Sequence, residues 1–497
     1  MKVRTSIVAA LACAIFLCLA WRFRDHRVDD AFISFRYAAN YAAGHGLVFN
    51  PGERVEGYTD FLWVVLLAVG IKLGIKPEIL SLVLGVAAAL GLILVVARAS
   101  FTLGLGNVTD WLAPALLAVS PALAVWATGG LETTFYAFLL TLGVCRLAEE
   151  VTAGTPRIAT AVIFGLASLT RPEGALFGGL MSGVLLVQFA RTREGLIAWA
   201  RWSGVFLAIF LSYFFWRFSY YGYLLPNTFY AKVDVGGSQV GRGIRYFSAF
   251  GAAIGYWLLL PLAGLASMRR KALAIVASVV IAQLAFVVFV GGDGLPMFRF
   301  FVPMLGLLFL LIAWGVDALL IRNAAGKRMR AIAAAVLALA CLYSARGAFA
   351  GPPYLYVKQD QAEVGAWTEI GRWFHDNAKP GDSIGVVPAG AIPYYSELSA
   401  LDMLGLNDVT IAHTPLGMGG GQAGHEKYNT AYVLERAPTY LVLGTYRLYG
   451  APDDPLRQLT PYYPVERELL NSPEFKSRYR IRQGKAASGY FAFFERI

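Results

Sequence analysis

Apolar runs long enough to cross a bilayer recur from the start of the chain to about residue 350, broken by short charged or Gly/Pro-rich loops. That pattern leaves little choice of fold, because backbone crossing hydrocarbon must satisfy its own N–H and C=O groups, and long apolar runs do so as helices. The composition agrees. At 57% hydrophobic, 15% charged and mean hydropathy +0.56, the chain lies far from the roughly half-apolar, quarter-charged balance of soluble domains. Spans are expected near 5–21, 78–98, 110–127, 133–148, 157–170, 174–190, 202–221, 244–266, 272–290, 301–321 and 331–349. Met1 to Trp21 has basic residues and an apolar core, as a signal peptide does. It lacks an Ala-x-Ala-like cleavage site and further spans follow, so a retained first helix is expected.

The stretch "TDFLWVVLLAVGIKLG" is barely long enough to span and carries Asp60 and Lys72. The positive-inside rule decides how to read it. If 59–74 lies in the interface and the N-terminus is cytoplasmic, four basic loops fall inside. They are Arg146/Arg157, Arg191/Arg193/Arg201, Arg269/Arg270/Lys271 and Arg322/Lys327/Arg328/Arg330. If 59–74 crosses, all four move outside. The interfacial reading is adopted, and it leaves Arg22, Arg24 and Arg27 outside, where lipid headgroups or a phosphate would have to attract them. The net charge of +11 is then cytoplasmic anchoring plus a few cations facing an anionic ligand, not a nucleic-acid footprint.

Beyond residue 350 apolar runs shorten, and "GPPYLYVKQD" reads as a linker. "QAEVGAWTEIGRWFHDNA" has helical periodicity, while "SIGVVP", "TYLVLG" and "GYFAFFERI" read as short strands. The expected architecture is a mainly α polytopic membrane module over residues 1–349, with a first external loop at about 22–77. Residues 350–497 are expected to form an external α/β soluble domain. Cys13, Cys18, Cys145 and Cys341 all sit in apolar segments, so the region after residue 350 has no disulfide framework. There is no Gly-rich nucleotide loop, HExxH, G-x-S-x-G or Cys/His zinc spacing.

This topology collects the unusual sequences on one face. In "RVDDAFISFRYAANYAAGHG", Asp29 and Asp30 precede a helix whose apolar face holds Phe32, Phe35, Ala39 and Ala42. One Asp can cap that helix and favour its dipole. Capping does not need two, and the second is available as a base; which is which stays open. "LTRPEG" puts Arg171 and Glu173 at a proline break at the membrane edge, as a local ion pair or a phosphate fork. Lys232 of "LPNTFYAK", and Asp293 and Arg299 of "GGDGLPMFRF", are snorkelling loop charges by one reading and ligand contacts by the other. Together with Arg171 they bring three cations to one external surface, where an anionic ligand would account for all three. Glu132 reads as a helix N-terminal charge. "GGGQAGHEK" offers His425 and Lys427 on flexible glycines, either as surface residues or as a cover for the site.

The segments "DDAFISFRYAANYAAGHGLVFNPGERVEGYTDFLW", "TGGLET", "LTRPEG", "YYGYLLPNTFYAK", "GGDGLPMFRFFVP", "YYSELSALDMLGLND" and "GHEK" resemble successive motifs of polyprenyl-phosphate-dependent membrane glycosyltransferases of the GT-C class. The branch they resemble most is the terminal β-(1→2)-arabinofuranosyltransferase family of mycobacterial-type cell walls. The resemblance runs from residue 28 to roughly 430, with the first motif and "LPNTFYAK" its most specific parts. It implies a lipid-phosphate sugar donor on the external face, an essential Asp in the first external loop (Asp29 or Asp30 by motif position), and interfacial helices in that loop. Arg171, Glu173, Lys232, Asp293, Arg299 and His425 would then bind donor phosphate and sugar. The acid would accept the acceptor's hydroxyl proton or stabilise an oxocarbenium-like centre. The resemblance also implies a β linkage made from a β donor, so simple inversion is not assumed. Some members of the class take a divalent metal; no clean ligand set is evident, and Asp293 with Glu56 is the pairing to consider. Arabinan, lipopolysaccharide, pilin or another envelope glycan would serve as acceptor, at the bacterial plasma membrane. A polytopic transporter or flippase of lipid-linked sugars is the alternative, although it would need an alternating pathway and no large external domain.

Overall fold

The computed structural model describes residues 2–497 apart from 104–108, 234–236, 265–270, 323–325, 419–420, 422 and 453. Arg269 and Arg270 of the third basic loop, and Gly419, Gly420 and Gln422 of the glycine loop, lie outside the described residues.

The chain begins with α1 (Lys2–Arg22), followed by α2 (Asp29–Ala42) and α3 (Phe61–Lys72). At 12 residues α3 is about 18 Å long, too short for a hydrocarbon core of about 30 Å. α4 (Pro77–Thr102) opens with Pro at its first turn, where no N–H is missed. The span expected at 110–127 is broken into α5 (Leu112–Ala118) and α6 (Pro121–Thr128), with the Ser120 side chain capping the second piece at Leu123 N. α7 (Thr133–Ala153) leaves α6 at a bend of 118° and ends on Gly154 in the left-handed region. α8 (Ile158–Thr170) and α9 (Glu173–Phe189) are parted at Pro172, with Arg171 extended between them.

Then come α10 (Arg193–Tyr221), α11 (Asn227–Lys232), α12 (Gly237–Ile254) and α13 (Leu260–Gly264). The last two form another bent pair, at 103°, over the span expected at 244–266. α14 (Lys271–Phe289), α15 (Leu305–Arg322) and α16 (Lys327–Ala345) complete the apolar part. Every expected span therefore has a helical counterpart. By length and composition, six described helices suffice to cross a membrane, or up to eight if each bent pair is one span. The difference from about eleven lies in the short helices α8 and α9 and in the breaks. The span containing α15 is 89% buried and forms the centre of the bundle; α16 is only 6% buried and lies at its edge.

The "GPPYLYVKQD" linker is not a linker. Residues 352–377 are one helix, α17 (Pro352–Asn377), because two prolines at the first helical positions initiate a helix as readily as they extend a loop. Behind it lies a five-stranded sheet, ordered β2-β1-β3-β5-β4, comprising β1 (Ser383–Val386), β2 (Ser399–Asp402), β3 (Tyr440–Val442), β4 (Tyr479–Lys485) and β5 (Tyr490–Arg496). β1 runs parallel to β2 and β3, whereas β5 is antiparallel to β3 and β4. Between β1 and β2 sits α18 (Ala391–Ser396). One apolar cluster runs continuously from the bundle (Phe16, Trp63, Leu140) to α17 and the sheet (Trp367, Phe374, Phe491). A second, around Met403, Leu441 and Val465, lies wholly after residue 386.

Candidate active site

The two neighbouring carboxylates have different surroundings. The residue before α2 is Val28, and neither Asp caps that helix with its side chain. Asp29 instead accepts hydrogen bonds from Gly390 N (Oδ2, 2.9 Å) and Ala391 N (Oδ1, 2.8 Å), which makes it the cap of α18, far along the chain. The expectation that one Asp caps its own helix is thus corrected. The acid is a cap, but for a helix that only the tertiary fold brings near. Gly390 is required there, since a Cβ would lie 1.9 Å from the Asp29 carbonyl oxygen. Burial pushes the Asp29 carboxyl up to about 7; the two amides oppose the shift and the adjacent Asp30 adds to it.

Asp30 makes no hydrogen bond among the described residues, and its side chain is 27% exposed, 3.9 Å from Arg299 Nη1. It faces a cavity of about 140 Å³ at the join of α2, α17 and the segments after β1 and β2. Asp29, Asp360 and Asp402 also line this cavity, as do Trp367, His425, Tyr446 and Tyr463. Asp360 holds His26 Nε2 at 2.7 Å. Asp402 accepts from the amides of Leu404 and Asn407, and burial lifts it to about 6. His425 stacks on the Tyr463 ring at 5.3 Å and 16°, with Nδ1 at 3.1 Å from the Ala423 carbonyl. Burial lowers its pKa, so it is a neutral imidazole with its Nδ1–H directed at that carbonyl.

The three cations fare differently from one another. Arg171 is buried and lies between Glu132 (Nη1–Oε1, 2.5 Å) and Glu173 (Nε–Oε1, 2.5 Å), so the local ion pair offered by "LTRPEG" is present, with Glu132 as a second partner. Arg299 is buried against Asp293 at 2.6 and 3.1 Å. Both guanidinium groups lie 5.1 Å from the centroid of Phe300. Two of the three cations for which an anionic ligand was considered therefore have carboxylate partners within the protein, as buried charges must. Lys232 alone of the three has no hydrogen bond or ion pair among the described residues. Its side chain lies against the "GHEK" loop, 2.9 Å from where a Cβ at Gly424 would stand. Lys427 ties that loop internally, donating to the Thr414 (2.5 Å) and Leu416 (3.3 Å) carbonyls, whereas His425 reaches the cavity. The Asp293–Glu56 pairing does not fit a metal. Glu56 is engaged by Arg217 Nε at 2.9 and 3.0 Å, and Asp293 by Arg299.

Several residues that organise the site carried no signal of their own in the sequence. Arg36 donates to the carbonyls of Phe49 (2.7 Å), Leu398 (2.6 Å) and Pro393, and to Asn50 Oδ1 (3.0 Å), joining α2 to the α18–β2 segment. Asn227 Nδ2 donates to the carbonyls of Gly405 (2.8 Å) and Leu406 (2.9 Å). Arg36 and Asn50 lie within the first motif and Asn227 within "LPNTFYAK", so the motif residues themselves were the available clue. Trp367, Tyr446 and Tyr463 lie in ordinary-looking sequence.

Comparison with known proteins gives three findings. Residues 354–493 match a domain of unknown function (DUF8728). A terminal beta-(1->2)-arabinofuranosyltransferase of Mycobacterium tuberculosis is 34% identical over 282 residues, 50% of this chain and 42% of that protein. One of the same name from Corynebacterium glutamicum is 30% identical over 357 residues, 60% of this chain and 50% of that protein. The chain thus spans about half the length of the curated relatives it matches. In structure it matches ArnT from Cupriavidus metallidurans bound to undecaprenyl phosphate, with TM-score 0.55, 15% identity, and coverage of 80% of this chain and 85% of ArnT. At that identity the match establishes the fold. The chain is a multi-pass membrane protein with the fold of the GT-C membrane glycosyltransferases, and its sequence relatives are named terminal β-(1→2)-arabinofuranosyltransferases.

Proposed function

We propose that the chain is a membrane glycosyltransferase that moves D-arabinofuranose from a polyprenyl-phosphate donor to a cell-envelope glycan, with Asp30 as the catalytic carboxylate. The observation that carries this is the difference within the Asp pair. Asp29 is committed to two backbone amides, while Asp30 accepts no hydrogen bond among the described residues, faces a cavity and has Arg299 beside it at 3.9 Å. A carboxylate so placed takes the proton of the attacking hydroxyl, or stabilises positive charge at the anomeric carbon as the phosphate departs. The nature of the donor is supported by the sequence relatives, by the undecaprenyl phosphate held by ArnT, and by Lys232, a cation without a partner among the described residues. Arg299 contributes field through Asp293 and Asp30 rather than as a bare cation.

The chemistry lies on the external side of the bacterial plasma membrane, with the N-terminus cytoplasmic and residues 350–497 external. Support comes from the distribution of basic loops and from the shortness of α3. Two experiments test the reading. Purified protein should consume decaprenyl-phosphoryl-arabinose when given a small arabinoside acceptor, and lose that turnover as Asp30→Asn. A cysteine introduced beside Lys76 should label from outside the cell, and labelling only from the cytoplasm overturns the orientation.

A further inference from the structure

We infer that the cavity beside Asp30 is a subsite for a neutral sugar ring, that of the acceptor, packed against Tyr463, and that it does not hold the donor phosphate. The inference rests on the transferase reading above and deepens it.

Charge is the first argument. Four aspartates line the cavity, and among the described lining residues there is no lysine or arginine. A phosphate lodged there would meet four acids at short range, against one guanidinium that reaches only Asp30, at 3.9 Å, and is already held by Asp293. The cations Arg299 and Lys232 stand outside the lining, so the anion belongs beyond the rim and the cavity belongs to something uncharged.

The second argument is how the polar groups of the wall are already used. Trp367 donates its indole N–H to the Thr445 carbonyl at 3.1 Å. Tyr446 donates its hydroxyl to Glu466, whose oxygens lie at 2.9 and 3.0 Å. His425 directs Nδ1 at Ala423 and lies flat on Tyr463. With their donors spent elsewhere, these side chains offer the cavity apolar ring surface, the kind of wall on which the C–H face of a sugar packs. On the acid side, Asp29 and Asp402 are held at both oxygens by backbone amides and Asp360 at one by His26, which leaves Asp30 as the one lining carboxylate, among the described residues, that meets a ligand hydroxyl with no protein donor of its own. An aromatic floor, carboxylate acceptors and no lining cation describe a site for a neutral polyol whose hydroxyl is presented to Asp30.

The test uses the full-length protein in detergent, with methyl α-D-arabinofuranoside as neutral probe, its 5-phosphate as charged probe and decaprenyl phosphate as donor-side probe. On the wild type, calorimetry should find the 5-phosphate binding at least about tenfold more weakly than the neutral glycoside. Tyr463→Leu should raise the acceptor KM by about tenfold, with kcat and the Kd for decaprenyl phosphate changed by less than about threefold. Tyr463→Phe, which keeps the ring, should restore the affinity. Equal or tighter binding of the 5-phosphate, or a parallel loss of decaprenyl-phosphate affinity in Tyr463→Leu, overturns the inference. If the wild type transfers no arabinose but binds the neutral glycoside in a Tyr463-dependent way, the transferase reading falls and the subsite stands. If the wild type binds no neutral glycoside, the subsite falls whatever the activity. The wild-type comparison of the two glycosides holds even if Tyr463→Leu does not fold.

Discussion

Two charged regions meet at the N-terminus of α2, and they handle charge in opposite ways. Around Phe300, Arg171 lies between Glu132 and Glu173, and Arg299 lies on Asp293, so each of these cations has a carboxylate within hydrogen-bond distance. In the neighbouring cavity, among the described residues, the acids have no cation in the lining and are met by backbone amides, by a histidine or, at Asp30, by no hydrogen-bond donor. The difference teaches which charges a ligand can use. A buried guanidinium already enclosed by two glutamates adds little to binding, but its removal leaves carboxylates stranded in a poor solvent for them. A carboxylate at the edge of a cavity with no protein hydrogen-bond donor among the described residues is available to a substrate.

That contrast can be broken by mutation. The largest effect is expected at Asp30→Asn, where transfer should fall by about 10²- to 10⁴-fold with an unchanged melting temperature. Normal turnover in this variant would remove the acid from the mechanism. Arg171→Ala should act on the fold instead, costing about 3–5 kcal/mol in a detergent unfolding measurement, and Arg171→Lys should recover only part because an ammonium cannot serve both glutamates in one plane. Arg171→Ala protein that is fully stable yet unable to bind decaprenyl phosphate would return Arg171 to the donor site.

Lys232→Ala should weaken decaprenyl-phosphate binding by about thirtyfold, near 2 kcal/mol, and leave stability untouched. Asp29→Asn should cost about 1–2 kcal/mol of stability, since an amide can accept from only one of Gly390 and Ala391 and turns a donor toward the other. Turnover measured on the folded fraction separates this from a catalytic loss.

The smallest effect is a pH slope. Burial raises Asp29 to about 7 and Asp402 to about 6, and burial together with Glu132 raises Asp60, all above the 3.8 of an ordinary aspartate. The native protein therefore holds protons that the unfolded chain releases near 3.8, and stability should decline from about pH 4 to about pH 7 before levelling. His425, with its pKa lowered from 6.5, works the other way below that value, but it is one group against three. Melting temperatures between pH 5 and 8 check the sign, and Asp402→Asn should flatten part of the slope.

How far the sequence could carry this differs element by element. Each expected span has a helical counterpart, though those at 110–127 and 244–266 are broken or bent, and the strands read at "SIGVVP", "TYLVLG" and "GYFAFFERI" correspond to β1, β3 and β5. β2 and β4 escaped. "SALD" is too short to show a pattern, and "YRIRQGK" is mostly polar, becoming a strand only by pairing with β5, Ile481 opposite Phe494. The first motif marked Asp29, Asp30, Arg36 and Asn50 as a group but gave them no separate roles.

Hydropathy and charge along the chain were sufficient to determine a helical membrane protein with an acidic pair at the start of its first loop. Both follow from local properties: the length of apolar segments against the bilayer, and the cost of backbone left unbonded in lipid. Which Asp is bound and which is free, which cations are already paired, and which aromatic rings wall the cavity were decided by tertiary structure alone. Asp29 finds its amides 361 and 362 residues away, and Arg171 finds Glu132 39 residues back. A charge reads the same in the sequence whether or not it has a partner, because partnership is a property of distance in space, and only the folded chain sets that distance.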